Sequence, residues 1–150
     1  MKIKIFKGLL LLIFFVTGTS LCACSHNRIL SDLPAGEGVE KVYISEALIN
    51  MGLQNHKNTF NYEGMNGDIQ GVEVYNCSNT SMSSLVKSKI EDILKKYKAE
   101  IMIESQENGE TSKIYTLYDE KAKEKRIGMA IIEENNTEIN IVILHGAYLR

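Results

Sequence analysis

Residues 99–144 read AEIMIESQENGETSKIYTLYDEKAKEKRIGMAIIEENNTEINIVIL, and the periodicity of this stretch decides the fold. Apolar and polar side chains alternate with a period of two through Ala99 to Ser105, Lys113 to Tyr118, Ile127 to Glu133 and Glu138 to Leu144. That alternation is the mark of half-buried strands, whose successive side chains point to opposite faces. Asn108-Gly109 predicts a two-residue hairpin between the first two segments, because both central residues of a type I′ turn need positive φ. Asn135-Asn136 predicts a second such turn. Asp119 to Arg126 is a charged, exposed connection. Four strands in an antiparallel meander follow.

Working back from this block, Met82, Leu85, Val86, Ile90, Ile93, Leu94 and Tyr97 recur at helical spacing, with Lys87, Glu91, Lys95 and Lys98 on the remaining surface. Thr80 and the serines beside it stand where helix caps belong. A short strand is expected over Ile69 to Tyr75, with Gly71 marking a bulge, after a polar loop from Gln54 to Gly67. Further upstream, Ile44, Ala47, Leu48 and Met51 predict a helix from Val39 to Met51, stopped by Gly52 and carrying Tyr43 in or beside the core. The expected fold class is therefore α+β: two helices packed on one face of a mostly antiparallel sheet of about five strands, in the order α-β-α-β-β-β-β. With both helices on one side, Met102, Tyr115, Leu117 and Val142 are expected to face a ligand, a partner or a second copy. Scattered surface apolars are the plainer reading of the same residues.

The N-terminus carries an address. Lys2, Lys4 and Lys7 precede the apolar run Leu9 to Val16, and small or polar residues follow from Thr17 to Ser20, the three-part layout of a secretion signal. The run is far short of the roughly 20 residues that a helix needs to cross a bilayer. Leu21-Cys22-Ala23-Cys24 resembles the bacterial lipoprotein box, in which a large apolar residue stands three places before an acylated cysteine and a small residue just before it. Cys24 fits the acceptor; Cys22 does not, because bulky Leu21 precedes it. The resemblance implies residues 1–23 as a cleaved signal, a diacylglyceryl thioether and an N-acyl group on Cys24, and stable membrane anchoring through several acyl chains. Ser25, in place of an inner-membrane-retaining Asp, implies the outer membrane. No acidic cluster follows Cys24, which favours the periplasmic side. Residues 24–38, with Pro34, Ala35, Gly36 and Gly38, read as a flexible tether that lets a single domain over 39–150 stand off the membrane.

Removing residues 1–23 takes three of the 17 basic side chains and none of the 19 acidic ones, leaving 14 against 19 and a net charge near −5. An acidic domain without a basic block gives no footprint for phosphate backbones, so nucleic acid is not an expected partner. With Cys22 removed and Cys24 lipidated, Cys77 stands alone and no internal disulfide is expected; it reads as a packed thiol.

Chemistry-bearing patterns are scarce. His26, His56 and His145 lie far apart, without a two-His or Cys/His spacing, so no metal is expected. Gly64, Gly67 and Gly71 do not form a phosphate-binding fingerprint, and no cofactor is expected. Ser45, Ser81, Ser83 and Ser84 lack a nucleophile elbow. Glu63, Asp68 and Glu73 could form an acid/base pair only if the fold assembled one. No catalytic residue is assigned.

The stretch Val42 to Leu48, the Tyr97 to Met102 junction, Lys113-Ile114-Tyr115, Met129 to Ile132 and Ile141 to Gly146 resemble the family catalogued as domain of unknown function 4252. These are small, mostly lipid-anchored proteins typical of gut Bacteroides relatives. The resemblance implies an envelope location and an α+β layout, and carries no activity. The expected function is a lipid-anchored, noncatalytic module that binds an envelope protein or small ligand through the sheet face or the Gln54 to Gly67 loop. The alternative is a hydrolase of unrecognised type using Glu63 or Asp68.

Overall fold

The computed structural model describes residues 28–53, 65–66, 69–122, 124–146 and 148–149. Its elements are β1 (Val39–Ser45), α1 (Glu46–Leu53), β2 (Met65–Asn66), β3 (Gly71–Cys77), a 3-10 turn (Thr80–Met82), α2 (Ser83–Lys96), β4 (Glu100–Glu107), β5 (Glu110–Tyr118), β6 (Arg126–Glu134), β7 (Ile139–His145) and β8 (Tyr148–Leu149). Six of the strands form one antiparallel sheet in the order β1-β3-β7-β6-β5-β4, and β2 pairs with β8 in a small second sheet.

The meander over β4 to β7 follows the sequence reading. Glu107 pairs with Glu110 across a two-residue turn in which Asn108 and Gly109 have φ of 52° and 83°, the conformation that type I′ demands. The second hairpin differs. Glu134 pairs with Ile139 across a four-residue loop, and Asn135 and Asn136 are not among the residues with positive φ. There the Asn135 side chain takes over: its Oδ1 accepts from the amides of Thr137 and Glu138 at 2.8 and 2.9 Å, a side-chain turn in place of a backbone one.

The expectation of two helices on a five-stranded sheet is overturned by the first element. Val39–Ser45 is a strand, paired residue for residue with β3 from Val39↔Cys77 to Ser45↔Gly71. Val-Glu-Lys-Val-Tyr-Ile-Ser is rich in β-branched and aromatic residues and gains seven cross-strand partners, which outweighs the helical spacing of its last apolar residue. Helix forms only from Glu46, and α1 leaves Leu48 and Met51 60% and 69% exposed. Gly71 lies in regular register with both Ser45 and His145, so it marks no bulge. The register shifts fall instead between Ile101 and Ile103 of β4 and between Leu117 and Tyr118 of β5.

One face of the sheet holds the core. Tyr75, Cys77, Ile139, Ile141, Ile143, Ala130, Ile132 and Leu117 project from it against Val86 and Ile90 of α2. Asn79 begins this helical run, its Oδ1 accepting the Ser81 amide at 3.0 Å. Over β1 and β3 the cover is the chain ahead of β1. Ile29, Leu30 and Leu33 are 3–5% exposed and belong to the main core. Within the segment expected as a flexible tether, 24–38, the described part is therefore folded onto the sheet: composition rich in Pro, Gly and Ala conceals three large aliphatics.

Candidate functional site

The N-terminal segment is fastened at four places, and the strongest is a buried charged cluster. Glu73 stands on the core face in the middle of β3 and is 5% exposed. Its Oε1 accepts the Ile29 amide at 2.7 Å and its Oε2 the Leu30 amide at 2.9 Å, the free N–H groups at the start of a turn that bonds Ser31 to Arg28 and Leu33 to Leu30. His145, at the end of β7, places Nε2 2.7 Å from the same Oε1 and is 6% exposed. Burial alone would raise the Glu73 carboxyl, but the hydrogen bonds from His145, Leu30 and Ile29 outweigh it and hold the group below the ordinary glutamate range. Because the ionised carboxylate can only accept, the bonded Nε2 carries the hydrogen. Around this cluster, the Arg28 guanidinium lies 4.5 Å from the Tyr43 ring centroid, Lys41 Nζ donates to Leu33 O at 2.5 Å, and the Tyr75 hydroxyl donates to Pro34 O at 3.1 Å.

Magnitudes show which contact decides. Burying each large aliphatic is worth about 1.5–3 kcal/mol, while ordering backbone costs about 1–2 kcal/mol per residue, so over residues 28–34 the two are comparable. Hydrogen bonds to a charged group add about 1.5–3 kcal/mol each, and Glu73 makes two to this segment.

His145 has glycine on either side: in the cross-strand row Gly71, His145, Gly128, Leu117, a Cβ at Gly128 would meet Leu144 O at 2.5 Å and His145 Cα at 3.2 Å. The imidazole also borders a cleft of about 550 Å³ shared with Ile29, Gln70, Tyr97, Asp119 and Lys125. The 119–125 loop at its mouth is shaped by Asp119, whose Oδ1 accepts from the Lys121 and Ala122 amides at 2.8 and 3.0 Å. That pair holds the Asp119 carboxyl below its usual range.

The face away from α2 presents a different surface. Val42, Val74, Val142, Ile131, Ile114 and Ile103 lie side by side in one row that crosses all six strands. The row is half-buried at its centre, with Val42 and Ile103 52% and 49% exposed at its ends. The neighbouring row is polar, from Glu40 through Asn76 and Asn140 to Glu133; the Asn76 amide donates to Asn140 Oδ1 at 2.8 Å and to Glu138. At the other margin Met129 and Thr116 are 2% exposed, and β8 runs beside β6.

The residues singled out from sequence are not brought together. Leu117 is fully buried in the core on the α2 side. Tyr115 is half-buried on that side too, in a groove with Ile90 and Leu94. Val142 is on the opposite face, and Met102, 46% exposed, sits at the bulge of edge strand β4. Parity placed Tyr115 and Leu117 together, but α2 covers that face rather than leaving it free. Cys24, Glu63 and Asp68 lie outside the described residues. Cys77 is fully buried, with Sγ 3.7 Å from Asn79 O. Among the described residues no group of three or more His, Cys, Asp and Glu is placed to hold a metal ion, and no helix is long and apolar enough to cross a membrane. The Glu73–His145 pair escaped sequence reasoning because 72 positions separate its members; the strand glycines Gly71 and Gly128 were its local trace.

The chain matches the family model described as "Domain of unknown function (DUF4252)" over residues 35–147. It belongs to that family. No curated protein and no solved structure matches it.

Proposed function

We propose that this protein is a lipid-anchored cell-envelope module, held through acyl groups on Cys24 at the outer membrane with its domain on the periplasmic side, and that it acts by binding a partner protein without catalysing a reaction. The observation that carries the binding reading is the apolar row Val42 to Ile103. Six strands at about 4.8 Å spacing make a strip roughly 24 Å wide, and neither of the two clefts described above is lined by it, whereas a small-ligand site is concave. Its breadth suits the apolar surface of another protein. The acidic and amide row beside it, with Glu40 and Glu133 exposed, selects a partner carrying basic or amide groups along that margin.

The address rests on Leu21 to Cys24 and the signal ahead of it. Glu63 and Asp68, the carboxylates of the hydrolase alternative, lie outside the described residues, while the described Glu73–His145 pair has both carboxylate oxygens taken by amides or imidazole and serves as a clamp. Photocrosslinking from position 142 in intact cells tests the binding reading. A single stoichiometric adduct from 142, absent when the probe is moved to Asp92 on the solvent side of α2, is the expected result. Equal or no adducts from the two positions would defeat it.

A further inference from the structure

We infer that the end of the sheet bearing α1 and the 119–126 loop is seated on the bilayer, with Leu48 and Met51 entering the interfacial layer; this rests on the acylation of Cys24 proposed above. Arg28, where the described chain begins, is four Cα steps from Cys24, and at roughly 3.3–3.6 Å per step the span cannot exceed about 14 Å. From Ile29 onward the chain is fixed to Glu73, so no further slack is available. A seven-residue strand is itself about 23 Å long. The acyl chains therefore hold one particular end of the domain against the membrane.

Several features converge at that end. Ser45, Gly71, His145 and Gly128 are paired across it, Ile29 and Gln70 line its cleft with Lys121 and Lys125, and α1 starts at Glu46, one residue past Ser45. Leu48 and Met51 stand three positions apart, hence on one side of α1, and are the two most exposed large apolar side chains described. A protein cap would have to be recruited, whereas the bilayer is present at the high effective concentration that a short tether imposes. Arg28, Lys121 and Lys125 supply cations for headgroups, offset in part by Glu46, Glu120 and Glu124; the apolar pair is thus the main contact and salt a minor influence.

The chain has no tryptophan, so one introduced residue reports cleanly. The acylated mature protein carrying Leu48→Trp, Met51→Trp or, at the opposite end of the sheet, Asn136→Trp is reconstituted into phosphatidylethanolamine/phosphatidylglycerol vesicles with bromine on the upper acyl carbons. Emission from positions 48 and 51 is expected to shift blue and be largely quenched, while that from 136 is unchanged. If intact mass shows Cys24 acylated and all three probes emit alike, the seating is wrong and the anchor stands. If Cys24 carries no acyl mass and the protein stays off the vesicles, the anchor reading fails and takes the seating with it.

Discussion

Glu73 shows how one buried charge can decide whether a segment belongs to a fold. It accepts two amides from residues 29 and 30 and one imidazole N–H, and removing the carboxylate leaves all three donors buried without their acceptor. Glu73→Ala is expected to cost about 3 kcal/mol or more, since each buried donor left unsatisfied costs about 1–3 kcal/mol, read as a lower urea midpoint at unchanged slope. The pH dependence has a definite sign. The folded carboxyl titrates below the ordinary 4.5, so its contribution is complete above that value and is lost as pH falls through the lower folded value. Acid titrations of wild type and Glu73→Gln should therefore converge below the ordinary glutamate range; curves that stay parallel would remove Glu73 as the cause. At the alkaline end the Tyr75 hydroxyl, pushed up to about 12 mainly by burial, contributes below pH 10 and loses its contribution as pH rises toward that value. Gly128→Ala, with a Cβ 2.5 Å from Leu144 O, should lower stability by about 1–3 kcal/mol through overpacking.

Among the elements, the meander was legible because its information is local. Ile139, Ile141 and Ile143 alternate with Asn140, Val142 and Leu144, and Asn108-Gly109 sets its own turn. Gly109→Val should destabilise this hairpin, because a β-branched residue is forced to φ of 83°; an unchanged melting temperature would contradict the turn assignment. The stretch that opens the sheet was not legible. Val39 to Met51 joins a strand to a helix without punctuation, so Ile44, Ala47, Leu48 and Met51 line up at helical spacing although Ile44 belongs to β1. Only pairing with β3, more than twenty-five residues on, resolves it. The second hairpin was placed correctly but built differently, since Asn135 can fold a turn with its side chain as well as with its backbone.

Across the whole molecule, the sheet is covered on one side by α2 and by a segment whose composition reads as linker. Pro34, Gly36 and Gly38 suggested slack, but Ile29, Leu30 and Leu33 are buried, and the clamp that secures them is assembled from strands far apart in sequence. The same long-range assembly explains why the face once expected from Met102, Tyr115, Leu117 and Val142 divides in two: parity assigns residues to faces, but it does not tell which face a helix will cover. Among the described residues, the apolar side chains left exposed include the ends of the row from Val42 to Ile103 on the face away from α2 and, at the Ser45 end of the sheet, Leu48 and Met51 of α1.

The docking of residues 28–34 by Glu73 fixes the course of the chain ahead of β1, and with it the orientation proposed for the domain at a bilayer; amide hydrogen exchange reads it directly. The Ile29 and Leu30 amides should exchange as slowly as those of β3 in the wild type and much faster in Glu73→Gln. Wild-type amides at 29 and 30 exchanging at the rate of an unstructured chain would contradict it.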